Sequence, residues 1–264
     1  MADLDLVRSE LAALVDRVVA EESGAEPGQP FGLYVFEGDH PGAELGRAVE
    51  RSVFFESFGD TPALLRDEYA PYDGSSRFLC LVDHRRRMPV GVVRLILPSP
   101  AGFKSLNDIE GTWGERPDVV LERGAQGLAL DRTWDIATLA VVPEYRGRAA
   151  SGLVTQGLYQ GIFTLARLEG VSHCVTVLDV VVLRTIQWQF KKPFLHYAGI
   201  EPRRYLGSPL STPVWCDILP WRRRLLAERV DLHDLLFRGS GLEAAIRLPA
   251  LIGTRLDGLP VAAL

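Results

Sequence analysis

The feature that most constrains this chain is an apolar run that stops at a proline and turns at once into a helix. Residues 134–142 read WDIATLAVV, and Pro143 follows. A run this apolar reads as a strand buried on both faces. Pro143 has no N–H and suits the point where a ladder stops. Behind it come Arg146, Gly147 and Arg148, then the small residues Ala149, Ala150 and Ser151. Residues 149–168 read as a long helix, residues 171–178 as a second apolar strand, and residues 180–190 as another helix. The order predicts an α/β (α+β) protein: a mixed central sheet with helices on its faces.

The rest of the chain fits around that unit. Residues 4–20 predict an amphipathic helix, with Leu4, Leu11, Leu14, Val15 and Val18 near one face. The Gly/Pro/Glu-rich residues 23–30 end it. Residues 31–36 predict a strand and residues 43–58 a helix; strands at 78–82 and 90–97 form a hairpin around 83–89. Residues 98–132 are rich in Gly, Pro and Asp and read as a long functional loop or insertion without regular structure. A last strand pair, 196–206 and 213–219, is expected around a turn at 207–212, then one amphipathic helix over 221–237 and an apolar tail to residue 264.

Composition narrows the classes. A formal net charge of −5 disfavours a globally basic nucleic-acid binder. The first 21 residues lack a basic segment followed by an apolar one, and no run of about 18 apolar residues occurs, so no membrane span is expected and the protein reads as cytoplasmic. Cys80, Cys174 and Cys216 are widely spaced in apolar stretches and read as buried thiols. The histidines show no metal-ligand spacing, and there is no Gly-x-Ser-x-Gly elbow.

The turn after the apolar strand carries the chemistry. Small residues at a helix start let backbone N–H groups approach an anion, and two arginines add charge-assisted bonds to phosphate. The same pattern also suits a plain strand–turn–helix with solvent-facing arginines. Val142-Pro143-x-x-Arg146-Gly147-Arg148 resembles the acyl-donor motif of the GNAT acyltransferases, with Ala149 and Ser151 at positions where that motif has Gly and Gly/Ala. Further landmarks, residues 53–59, Tyr72-Asp73, residues 91–95 and residues 134–141, resemble in order those of the acyl-homoserine-lactone (autoinducer) synthases and the long-chain N-acyl amino acid synthases. Autoinducer synthases usually have Trp where this chain has Asp60, and Glu-x-x-Arg where it has Asp135 and Thr138.

The resemblance implies a GNAT fold over residues 31–219, an N-terminal helix and linker over 1–30, and a C-terminal helical extension over 220–264. It implies an N-acyltransferase moving a fatty acyl group from an acyl-carrier-protein or coenzyme A thioester to an amine, with an amino acid expected. No permanently bound cofactor is expected. Val142, Arg146, Gly147, Arg148, Ala149, Ala150 and Ser151 would receive the donor phosphate. Asp135 would be the base, and a bulge around Leu139 to Val141 would free a backbone N–H for the carbonyl. Glu56, Asp73, Arg94 and Thr138 would contact substrate, with Arg94 read equally as an ion-pair partner. Tyr197 is the nearest match to the usual GNAT tyrosine. The basic clusters at 85–87, 191–192, 203–204 and 222–224 would be solvated surface or a dock for acyl carrier protein. An autoinducer synthase using S-adenosylmethionine and a non-catalytic GNAT-fold binding protein stand as alternatives.

Overall fold

In the computed structural model, which describes residues 2–23, 28–147 and 152–248, every residue of one strand, Ser76–Asp83, is buried. In chain order the first elements are α1 (Ala2–Ser23), β1 (Phe31–Glu37), α2 (Ala43–Phe58), α3 (Pro62–Tyr69), β2 (Ser76–Asp83) and β3 (Met88–Ile96). Then come α4 (Lys104–Trp113), α5 (Pro117–Gly124), β4 (Thr133–Val141), α6 (Leu153–Leu168), β5 (His173–Asp179) and α7 (Val180–Gln189). The chain continues through β6 (Leu195–His196), β7 (Arg203–Tyr205), β8 (Ser208–Asp217), α8 (Ile218–Glu228), α9 (Val230–Arg238) and β9 (Ile246–Arg247).

The sheet runs β6-β8-β5-β4-β3-β2-β1-β9, with β7 also on β8. Neighbours are antiparallel except β4–β5 and β1–β9. A parallel pair needs a crossover, and α6 supplies it between β4 and β5. The expected mixed sheet between helices is thus what forms. Helices α2 and α6 take opposite faces: Gly46 on α2 lies against Phe78, Cys80 and Val92, whereas Gly161 on α6 lies against Leu33 and Leu79. A Cβ at Gly161 would stand 2.4 Å from Leu33 Cδ2, so a larger residue there would have to push Leu33 aside or lift α6 from the sheet.

Several boundaries differ from expectation. The segment expected to be an irregular loop folds into α4 and α5, because Leu106, Ile109 and Trp113 share one face of α4 and bury against the sheet. Left-handed Gly114 ends α4, and Pro117 opens α5. Strand β8 begins at Ser208, so the last turn is the tight Leu206–Gly207 step rather than a six-residue loop. The single helix expected over 221–237 is two, α8 and α9, broken at Arg229, whose backbone leaves helical geometry. The three cysteines are buried and free. Helix α9 packs on α6, and Ile246 of β9 pairs with Phe31 of β1, so the C-terminal segment joins the sheet. The tail from residue 249 lies outside the described residues. No described helix is long and apolar enough to cross a membrane.

Candidate active site

The site begins where β4 loses its neighbour. Strand β4 pairs with β5 only at Thr133, Trp134 and Asp135, opposite His173, Cys174 and Val175. Beyond that point β4 stays with β3 as far as Val141, while β5 stays with β8 as far as Asp179. The register of β4 against β3 slips at this place: Arg94 faces Thr138 but Leu95 faces Ile136, which leaves Ala137 as the extra residue of a bulge. A bulge bends its strand and sharpens its twist, and here it turns β4 away from β5. Thr176 Oγ1 donates to the Ile136 carbonyl at 2.8 Å and closes the end of the shared ladder.

This corrects the bulge expected around Leu139 to Val141, where the β3 ladder is regular. Those two residues still face the opening, for another reason. Val142 N–H donates to Val90 O at 3.0 Å, and hydrogen-bonded residues alternate along an antiparallel ladder. Ala140 and Thr138 therefore bond toward β3, and the amides of Leu139 and Val141 point to the side that β5 has left. Arg146 Nε donates to the Val141 carbonyl on that side at 2.7 Å.

A cavity of ≈ 270 Å³ fills the split and passes through the sheet. On the α6 face its wall is apolar: Tyr159, Ile162, Phe163, Phe190, Trp221 and Leu236. On the α2 face the wall carries Asp60, Tyr69, Lys104, Ser105 and Thr138.

Most polar groups on this face fall into three sets. In the first, Glu50 of α2 and Arg94 of β3 form a bidentate pair at 3.0 and 2.7 Å, and Thr138 Oγ1 donates to the same carboxylate at 2.6 Å. Arg94 also reaches Asp73 at 3.3 Å and stacks over Tyr69, its guanidinium carbon 4.1 Å from the ring centre. Both partners of the pair are buried, so the charges neutralise each other out of water. In the second, Lys104 Nζ bonds Glu68 at 2.7 Å, Asp108 at 2.6 Å and Tyr205 Oη at 3.3 Å. Burial pulls the lysine's pKa down, but the bonds to Asp108 and Glu68 outweigh it and hold the pKa above its ordinary value. In the third, Asp135 accepts from Ser105 N–H at 2.7 Å and Ser105 Oγ at 2.5 Å. It is fully buried, and burial pushes its pKa up to about 6 against the pull of the Ser105 bonds and Lys104.

Asp60 belongs to none of these sets. It follows left-handed Gly59 at the end of α2, is 9% exposed, lines the cavity and accepts no hydrogen bond from the described residues. Burial and nearby Glu68 raise its pKa.

The expected site residues divide accordingly. Thr138 and Leu139 line the cavity. Asp135 does not; its carboxylate accepts from the amide and hydroxyl of Ser105 in the first turn of α4 and holds that helix against β4. Arg94 is held by Glu50 and Asp73 with no surface left for a substrate carboxylate, and Asp73 serves the same pair. Glu56 is exposed on α2, outside the cavity wall; the buried carboxylate of that helix is Glu50. Tyr197 is buried outside the cavity wall with its hydroxyl unpartnered among the described residues. The donor loop is seen in part. Val142 ends the ladder, Arg146 is exposed, and Gly147 has a positive φ of 57°. Arg148, Ala149, Ala150 and Ser151 lie outside the described residues. Gly152 N–H donates to Gly147 O at 2.8 Å, and Gly152 caps α6 without a side chain.

Sequence reasoning singled out Asp60 only as a departure from the autoinducer-synthase pattern and missed Glu50 and Lys104 altogether. Glu50 carried a signal: it falls on the buried stripe of α2 with Leu45, Gly46, Val49 and Val53, where a carboxylate requires a partner.

Neither a protein-family model nor a curated protein matches this sequence. Solved structures match its backbone. One is a CoA-dependent acyl-homoserine lactone synthase, BjaI, solved with SAM and isopentyl-CoA. It is 15% identical, with a TM-score of 0.53 over 86% of this chain and 95% of that one. Another is FeeM, an N-acyl amino acid synthase from uncultured soil microbes. It is 12% identical, with a TM-score of 0.53 over 76% of this chain and 97% of that one. The fold is that of the GNAT acyltransferases. The split between β4 and β5 is therefore a feature of a GNAT-fold chain, and the two departures from the autoinducer-synthase pattern, Asp60 and Thr138, both fall on its cavity wall.

Proposed function

We propose that this protein is an N-acyltransferase, moving an acyl group from a thioester of coenzyme A or of carrier-protein phosphopantetheine to an amine. The observation that carries this is the cavity through the split sheet, apolar on the α6 face and with polar groups set among Phe54 and Phe58 on the α2 face. The apolar half suits an acyl chain, and the polar half suits an amine. Between them the free amides of β4 stand at the edge of the split. Backbone N–H groups preset there would bond a thioester carbonyl and stabilise the oxyanion as it forms. The thiolate is a fair leaving group, since a thiol's pKa is about 8.5. Arg146 and the uncapped start of α6 would receive the donor's phosphate, together with residues 148–151. The basic clusters would orient an acidic carrier protein.

An amino acid acceptor would need a cation for its carboxylate. An S-adenosylmethionine acceptor is disfavoured where Asp60 and Thr138 replace the Trp and Arg of that pattern. Acyl-CoA and acyl-carrier-protein thioesters of several lengths, screened with a panel of amines and amino acids, test the reading. Amine-dependent thiol release is expected, and its absence with every donor would leave a GNAT-fold binding protein.

A further inference from the structure

The charge balance of the cavity bears on the acceptor. Three charged side chains line it among the described residues: Asp60, Lys104 and Asp179. An ammonium group has three N–H donors. Those of Lys104 are occupied by Glu68, Asp108 and Tyr205, so none is left for an incoming carboxylate. Asp179 caps α7 through Val181 N–H and accepts from Ser208 Oγ at 2.8 Å. Arg94 is closed off by Glu50 and Asp73. Asp60 alone of these is both nine-tenths buried and without a partner among the described residues, and it faces the cavity.

The Asp60 oxygens open into the cavity rather than being sealed in protein, and the ligand group best matched to an unpaired carboxylate there is a cation carrying N–H bonds. A substrate carboxylate in the same chamber would meet Asp60 and the acid-rich Lys104 cluster, with no free cation to pair among the described lining residues.

We infer that Asp60 receives the acceptor as an ammonium ion, and that the acceptor is an amine with no carboxylate beside its nitrogen. The inference rests on the N-acyl transfer proposed above and names its substrate class. Asp60 then takes one proton from the bound ammonium, and the freed lone pair forms the C–N bond to the thioester carbonyl. As the tetrahedral adduct collapses, the C–S bond breaks with its electron pair on sulfur and nitrogen loses a second proton. One of the two protons ends on the thiol and the other goes to solvent, leaving amide and thiol. The raised pKa of Asp60 matches a group that gains from a cation and accepts a proton readily.

The test uses pairs that differ only in the carboxylate: tyramine with tyrosine, phenethylamine with phenylalanine, cadaverine with lysine. Thiol release from decanoyl-CoA by the full chain gives kcat/KM, and calorimetry gives binding of each compound without turnover. The amine should lead its amino acid by about 30-fold or more in at least one pair, the scale of one buried charge pair. Asp60→Asn, which also loses the proton acceptor and should lower turnover, should erase that lead in calorimetric binding while decanoyl-CoA still binds as in the wild type. Equal or better use and binding of the amino acid in every pair overturns the inference, as does a preference that survives in Asp60→Asn. If that variant does not fold, the wild-type pairs still decide. Absent thiol release with every amine would sink the acyl-transfer reading, while the calorimetric comparison would still judge Asp60.

Discussion

Two carboxylates of the α2 region, ten residues apart in sequence, meet opposite fates. Glu50 is buried and saturated, holding Arg94 and Thr138. Asp60 is nearly as buried and holds nothing among the described residues. The saturated cluster builds the wall on which Tyr69 and Thr138 stand; the empty carboxylate faces the space that wall encloses. The difference teaches that burial does not mark a functional acid. What sets Asp60 apart is that its carboxylate, unpartnered among the described residues, opens on the cavity and is free to take a cation there.

The largest expected effect breaks the saturated side. Glu50→Gln leaves Arg94 buried without its main counter-ion and should cost about 3–5 kcal/mol of stability, read by urea unfolding. Restoring most of that loss by Arg94→Met in the same chain would show that the pair is structural; no restoration would give Arg94 another task.

Asp135 gives the next effect, through pH. Its folded pKa, about 6, lies above its unfolded value, so the folded state binds the extra proton between roughly pH 4 and 6. Its contribution to stability is therefore greatest below that window and falls as pH rises through it, by about 1–3 kcal/mol. Asp135→Asn should flatten that part of the stability–pH curve. A curve unchanged from wild type would mean that Asp135 titrates normally.

Asp60→Asn should move the other way from Glu50→Gln. Removing an unpaired carboxylate should leave stability at pH 7 unchanged or raise it by up to about 1 kcal/mol, while amine use falls. Clear destabilisation in thermal unfolding would show that Asp60 has a structural partner after all. The smallest effect is expected at the donor end. Arg146→Ala removes an exposed cation and should raise KM for the thioester donor about two- to five-fold with kcat little changed. An unchanged KM would put the phosphate elsewhere.

Much of the frame is legible in the sequence. The periodicity of residues 43–58 predicts α2 with its observed bounds, and the apolar runs around residues 83–89 predict the β2–β3 hairpin within two residues, because both signals are local. The insertion is not legible in this way: α4 is short and contains Gly111 and Thr112, its apolar face makes sense only against β4, β5 and β8, and α5 packs on α4. The surroundings of Asp135 were hidden for a related reason. The strand position is right, but Ser105, thirty residues earlier, takes the carboxylate.

The sequence by itself determined the buried strand ending at Pro143, the helix that follows it and the mixed order of elements, since each depends on neighbours a few residues away. Only the tertiary structure decided where β4 parts from β5, because a register slip depends on which residues of β3 lie opposite. Only it decided, too, which acid is satisfied. Thr138 reaches Glu50 across 88 residues and Lys104 reaches Tyr205 across 101, while Asp60 finds nothing among the described residues. A side chain's charge cost is set by what folding brings beside it, and that is a property of the assembled sheet and helices rather than of any stretch of chain.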